Sequence, residues 1–180
     1  IFAFENYFDM QLSATNNSNF IFESISFPGD LVFLSNDLEE ALYPFLPGVV
    51  FNSEFFSNKR EVQSSYPGGL FADFVSITSK KGNLSIYAVN PSDAIYPVSI
   101  GFFPDDGYLR NSHFLLHGFE IGLRPGEEWN SPTIRFELGQ SHMDNLLDYR
   151  IDNEIDQYPD IKEKLGEVYS KTIKSPVIMF

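Results

Sequence analysis

Cysteine is absent from the 180 residues. That excludes disulfides, thiol catalysis and Cys-ligated zinc, and it leaves the compartment open, cytoplasmic or secreted. Basic residues are scarce: 12 Lys and Arg stand against 25 Asp and Glu, a net charge of −13. Nucleic acid needs a basic surface, so it is not expected as a partner, and an anionic membrane surface is disfavoured for the same reason. No apolar run approaches the roughly 18 residues of a membrane span, and no signal peptide is visible. G-x-S-x-G, H-E-x-x-H and the Rossmann fingerprint are all missing, and Gly68-Gly69 lacks the Lys-Ser/Thr of a phosphate loop. No cofactor or metal is expected.

What is present is aromatic: 19 Phe, 9 Tyr and a single Trp, within a chain that is 43% hydrophobic. Such a chain folds. Residues 1–140 hold 25 of the 29 aromatics, 11 of the 12 glycines and 9 of the 11 prolines. Short apolar runs broken by turn residues read as a β-sandwich or barrel. The runs are 20–25, 31–34, 49–51, 70–77, 84–89, 98–102, 114–123 and 133–138, with a hairpin turn at Lys80-Lys81-Gly82-Asn83 and a phase slip near Gly118. A short internal helix is expected over 36–45, with acidic residues in its first turn. Beyond residue 140 the punctuation stops. Ser141 is placed to cap a helix over 143–152 that buries Met143, Leu146, Leu147 and Ile151, and Pro159 to start a second with Ile161, Leu165, Val168 and Tyr169 on its apolar face. Both ends of the chain are apolar, and the expectation is a segment of a longer polypeptide.

Three histidines limit the acid–base options. His113 and His117 share one face of a predicted strand, near Glu120, where an acid–base pair would fit. Their plainer reading is that of polar-face or strand-end residues. Asp105-Asp106-Gly107 reads first as a turn and second as a carboxylate pair for a cation or a sugar hydroxyl. Trp129, Tyr108, Tyr66 and Tyr96 fall at predicted loops beside polar side chains. A sugar ring has an apolar face and a hydroxyl rim, so an aromatic platform with planar polar groups suits it; loop aromatics also plug the ends of sandwiches. Two N-x-S patterns, at Asn16 and Asn83, read as chance.

The run Tyr66-Pro67-Gly68, the Lys80–Asn83 turn and Leu84–Asn90 resemble the amino-terminal β-supersandwich of large bacterial glycoside hydrolases. The order then continues through the Leu123–Trp129 corner, an outgoing strand over Ser131–Gly139, a helix bearing Tyr149-Arg150, and Ser175–Phe180 as a first barrel strand. The likeness covers about residues 48–180 and rests on order and spacing. It implies a mainly β, antiparallel two-sheet supersandwich of galactose-mutarotase-like type over 1–140, with a short internal helix. A helical linker over 141–180 would lead into a catalytic (β/α)8 barrel. In such families the catalytic carboxylates lie on the barrel, so no catalytic residue is carried onto this chain. Sugar mutarotases pair a His with a distant Glu, and His113 and His117 precede Glu120 and Glu137 more closely than that.

The expectation is therefore a non-catalytic accessory domain of a carbohydrate-active enzyme, packed on the barrel of the same polypeptide. Its candidate carbohydrate-binding residues are Trp129, Tyr108, Tyr66, Asp106, His113 and His117. Two alternatives remain at this point: a free-standing carbohydrate-binding module, and a sugar epimerase or lyase using His113 or His117 with Glu120.

Overall fold

A computed structural model describes residues 1–29, 31–46, 48–89, 96–105, 107, 111–139, 141–155 and 163. The architecture is mainly β, with every strand pair antiparallel. The strands are β1 (Phe2–Ala3), β2 (Tyr7–Met10), β3 (Ser13–Thr15), β4 (Phe22–Ser26), β5 (Leu31–Leu34), β6 (Leu38–Tyr43), β7 (Val49–Asn52), β8 (Val62–Tyr66), β9 (Phe74–Ser79), β10 (Gly82–Val89), β11 (Val98–Asp105), β12 (Ser112–Leu123), β13 (Glu128–Asn130) and β14 (Thr133–Gly139). The described α-helices are α1 (Ser53–Ser57) and α2 (His142–Asp152).

One sheet has seven strands in the order β1-β2-β14-β10-β9-β6-β7. The other runs β4-β12-β11-β8, with β5 also paired to β12. A two-stranded ribbon joins β13 and β3. The sheets stack as a β-sandwich because alternate residues of both are apolar. Ala41, Val75, Ile77, Ile86 and Ile134 of the first share one buried cluster with Ile100, Phe102, Leu115 and Phe119 of the second.

Three expectations need correction. The internal helix over 36–45 is instead a 3₁₀ turn, Ser35–Asp37, followed by β6. Leu38, Ala41 and Tyr43 are buried there, and pairing with β9 outweighs the helix-start signal of the acidic residues. The short helix lies later, at α1, where the Asn52 side chain accepts from the backbone amides of Glu54 and Phe55. In β12 the inner face is the unbroken set His113, Leu115, His117, Phe119 and Ile121, so the phase does not slip at Gly118. The irregularity falls between Glu120 and Leu123, where Gly122 takes φ +57°. Phe114 faces outward and stacks on Phe103 with centroids 5.2 Å apart.

Ser141 caps α2 as expected, its hydroxyl accepting from the Asp144 amide. The buried face of α2 differs from the apolar stripe, however. Asn145 and Tyr149 are buried and Leu146 packs beside Tyr149 on the Ala72, Phe74 and Tyr87 cluster, whereas Met143, Leu147 and Ile151 are exposed. The cause lies in the sheet beneath, whose outer face is mixed: apolar Phe74 and Tyr87 receive Tyr149 and Leu146, while Ser76, Asn83, Ser85 and Glu137 are buried polar groups that need partners. The Asn145 amide donates to Asn83 Oδ1 (2.8 Å) and Ser85 Oγ (2.7 Å). The second tail helix from Pro159 and the apolar Val177–Phe180 lie outside the described residues.

Candidate functional site

Of the residues the sequence singles out, Asp106 and Tyr108 lie outside the described set. His113 and His117 share a face, and that face points into the sandwich; both are fully buried. The Nε2 of His113 sits 3.1 Å from the Arg60 carbonyl and so carries the proton, leaving Nδ1 to accept from Ser35 Oγ at 2.9 Å. Burial pushes the His113 pKa below its ordinary value. His117 lies between two acceptors: the Phe27 carbonyl, 2.7 Å from Nδ1, and Asp73 Oδ1, 2.8 Å from Nε2. Burial alone would lower its pKa, but the charge and hydrogen bond of Asp73 outweigh burial and hold it above the ordinary value. Both nitrogens therefore donate, and His117–Asp73 is a buried ion pair that ties the two sheets together. Glu120 faces the opposite side of β12 and accepts from Ser99 Oγ at 3.3 Å, so neither histidine meets it.

Trp129 sits in β13 and packs on Phe119, ring centroids 5.3 Å apart; His117 meets the same Phe119 edge-on at 5.2 Å. These two candidates are thus joined through a core aromatic. Tyr66 ends β8, partly buried against the main core, as is Tyr96. Asp105 accepts from the Gly107 amide at 2.8 Å, closing a turn. The asparagines of both N-x-S patterns are buried with engaged amides: Asn16 donates to the carbonyls of Phe20 and Leu123, and Asn83 donates to Thr78 Oγ1.

The chemistry-bearing cluster that sequence reasoning missed lies on the outer face of the seven-stranded sheet, under and beside α2. Arg135 of β14 binds Asp9 of β2 with two parallel bonds, Nε–Oδ1 at 2.8 Å and Nη2–Oδ2 at 3.0 Å, and reaches Asp152 Oδ2 of α2 through Nη1 at 2.6 Å. Its guanidinium lies 3.8 Å above the Tyr7 ring, and Phe4 stacks against that ring, centroids 4.5 Å apart. The Asp9 bonds and both carboxylate charges hold the guanidinium firmly protonated. Tyr87 of β10 places its hydroxyl 2.9 Å from Glu137 Oε2 and 2.8 Å from Asp152 Oδ2. Burial, then the two carboxylates, keep the phenol protonated. Glu137 is raised from the ordinary carboxyl value, first by burial and then by the charges of Asp148 and Asp152, against the Tyr87 bond. The second histidine-bearing cluster, around His142, adjoins this one. His142 Nδ1 is 2.8 Å from Ser76 Oγ and Nε2 is 3.2 Å from Thr78 Oγ1, and burial lowers its pKa.

Glu137 borders two open grooves. One, of about 500 Å³, runs between the Phe4–Tyr7 turn and the C-terminal half of α2. The other, of about 650 Å³, runs between the Lys81–Asn83 turn and the first half of the helix. The arrangement links a carboxyl, a phenol, a carboxylate and a guanidinium in one hydrogen-bonded chain, with the carboxyl end open to the grooves. Among the described residues, no three His, Asp or Glu side chains are grouped to hold a metal ion. The signal in sequence is the polar alternation Arg135, Glu137 against Ile134, Phe136; strand pairing joins Arg135 to Asp9, 126 residues away, and helix docking joins it to Asp152, 17 residues away. No protein-family model matches the chain, and a search of curated proteins finds no match.

Proposed function

We propose that the chain is a non-catalytic accessory domain of a carbohydrate-active enzyme, a glycoside hydrolase, which packs on a catalytic barrel of the same polypeptide and forms one wall of its sugar cleft. The observation that carries this reading is how the buried acid–base groups are engaged. His113, His117 and His142 each have both ring nitrogens within hydrogen-bond distance of protein atoms, and Arg135 is bound to two carboxylates. These groups join sheet to sheet and helix to sheet. The sandwich architecture and the order of turns along the chain support the same reading.

Two measurements test it. Sequencing the coding frame beyond residue 180 is expected to reveal alternating strands and helices with Asp or Glu at strand ends. The isolated chain, screened against aryl glycosides and a glycan array, is expected to show neither turnover nor saturable binding. Turnover abolished by His117→Gln would overturn the reading in favour of an enzyme on the sandwich. Glycan affinity lost in Trp129→Ala would overturn it in favour of a free-standing binding module.

A further inference from the structure

Met143, Leu147 and Ile151 stand four residues apart on α2, with exposures of 62%, 49% and 69%. This is one helix face, apolar and turned away from the sheet. Ile151 also forms a lip of the groove beside α2, opposite the exposed Phe4. The groove between them is acidic: Glu5, Glu137, Asp148 and Asp152 line it, and the one cation among the described residues that line it, Arg135, is already bound by Asp9 and Asp152. Glu137 faces the groove with one donor, the Tyr87 hydroxyl. It is 8% exposed, and it shares the single Tyr87 proton with Asp152. Asp152 has Arg135 in addition, whereas among the described residues Glu137 has no cation in contact. A carboxyl at the edge of two grooves, with no cation of its own, can accept a further donor from the groove side.

We propose that this surface docks a protein segment presenting one arginine or lysine between apolar residues. The basic side chain enters the groove toward Glu137 and Asp148, and its apolar neighbours cover Ile151, Leu147 and Met143. Charge complementarity selects the occupant. A second copy of this chain would bring another net charge of −13 to an acidic groove. The naming of that segment as part of the catalytic barrel rests on the accessory-domain reading; the chemistry of the surface does not.

The test uses the chain labelled at Met, Leu and Ile methyls and at side-chain carboxyls, titrated at low salt with the peptides Ac-Leu-Arg-Leu-NH₂ and Ac-Leu-Gln-Leu-NH₂. The arginine peptide is expected to shift the Met143, Leu147 and Ile151 methyls saturably and to bind about tenfold tighter than the glutamine peptide, the increment of one charge-assisted contact. Asp148→Asn changes an exposed residue and leaves the fold intact; together with Glu137→Gln it is expected to bring the two peptides within about twofold. Equal affinities in the unmodified chain overturn the proposal. So do shifts centred elsewhere, or contacts from the three methyls to residues 156–180 in the free chain. A barrel in the coding frame with no peptide preference defeats the surface and leaves the accessory reading standing. A peptide preference with no barrel does the reverse.

Discussion

Replacing Asp73 by Asn isolates the buried charge that joins the two sheets. His117 donates Nδ1–H to the Phe27 carbonyl and Nε2–H to Asp73, with His117 fully buried and Asp73 6% exposed. Without the carboxylate the imidazolium has no counter-charge, so the ring gives up its Nε2 proton while Nδ1–H stays on the Phe27 carbonyl. The new amide can donate to the bare Nε2, so one charge-assisted bond is exchanged for a neutral one, a loss of about 1–2 kcal/mol. Asp73→Ala offers no donor and leaves a cavity, and is expected to cost about 3–5 kcal/mol. The sign with pH follows from the raised His117 pKa. The pair's contribution is fully present below the ordinary histidine value of 6.5 and is lost as pH rises through the raised folded value. In Asp73→Asn the buried ring prefers to be neutral, so that contribution disappears. The gap between the two proteins should therefore be widest near pH 6 and narrow toward pH 9. Urea unfolding followed by Trp129 fluorescence, at both pH values, measures it. A gap that is the same at both pH values, or a variant as stable as the parent at pH 6, would refute the reasoning.

Other perturbations address the helix and the core. A Cβ at Gly139 would fall on the Asn145 side chain, so Gly139→Ala should displace α2 at a cost of about 1–3 kcal/mol, read as faster hydrogen exchange of the α2 amides. His113 and His142 have lowered pKa values, so the fold should lose stability as pH falls through 6.5, and His142→Gln should remove part of that loss in urea midpoints at pH 7.5 and 5. The raised Glu137 carboxyl acts in the same direction as His117: its contribution is present below 4.5 and lost as pH rises through its folded value, and Glu137→Gln should flatten that part of the profile. Tyr43 donates to the buried Ile100 carbonyl at 2.8 Å, and Tyr43→Phe should lower stability by about 1 kcal/mol in thermal unfolding.

Strands that alternate were readable from sequence. β10 and β14 carry Leu84, Ile86, Ala88 and Ile134, Phe136 at a period of two, and the Lys80–Asn83 turn between β9 and β10 is where the sequence puts it. β8 and β13 were not readable, because Val62-Gln63-Ser64-Ser65-Tyr66 and Glu128-Trp129-Asn130 look like loops until their neighbours supply the pairing. β6 is not legible because a helix-start signal is local and the pairing with β9 that overrides it is not. α2 lies where the sequence puts it but turns a different face to the sheet: Leu146 and Tyr149 pack on Ala72, Phe74 and Tyr87, while Asn145 meets the polar Asn83 and Ser85, a mixed floor that the apolar stripe of α2 does not announce. The cluster around Arg135 and Glu137 draws on β2, β10, β14 and α2, and no spacing rule links Asp9 to Asp152. His113 and His117 were legible as a same-face pair; which face, and how each nitrogen is engaged, required Phe27, Asp73, Ser35 and Arg60 from elsewhere in the chain.

The seven-stranded sheet also sets a timetable for synthesis. β14 lies between β2 and β10, so residues 133–139 join Tyr7–Met10 to the strands made in the middle of the chain. β1 and β2 wait for β14, and the β2–β14 contacts are among the longest in sequence between the described strands. High contact order of this kind slows folding and leaves strand edges bare in the meantime. A nascent chain ending before residue 133 would hold β9 and β10 as a hairpin and β2 paired with β1 alone, its edge toward β14 bare. Only when Ile134 and Phe136 arrive do β1 and β2 become part of the sheet.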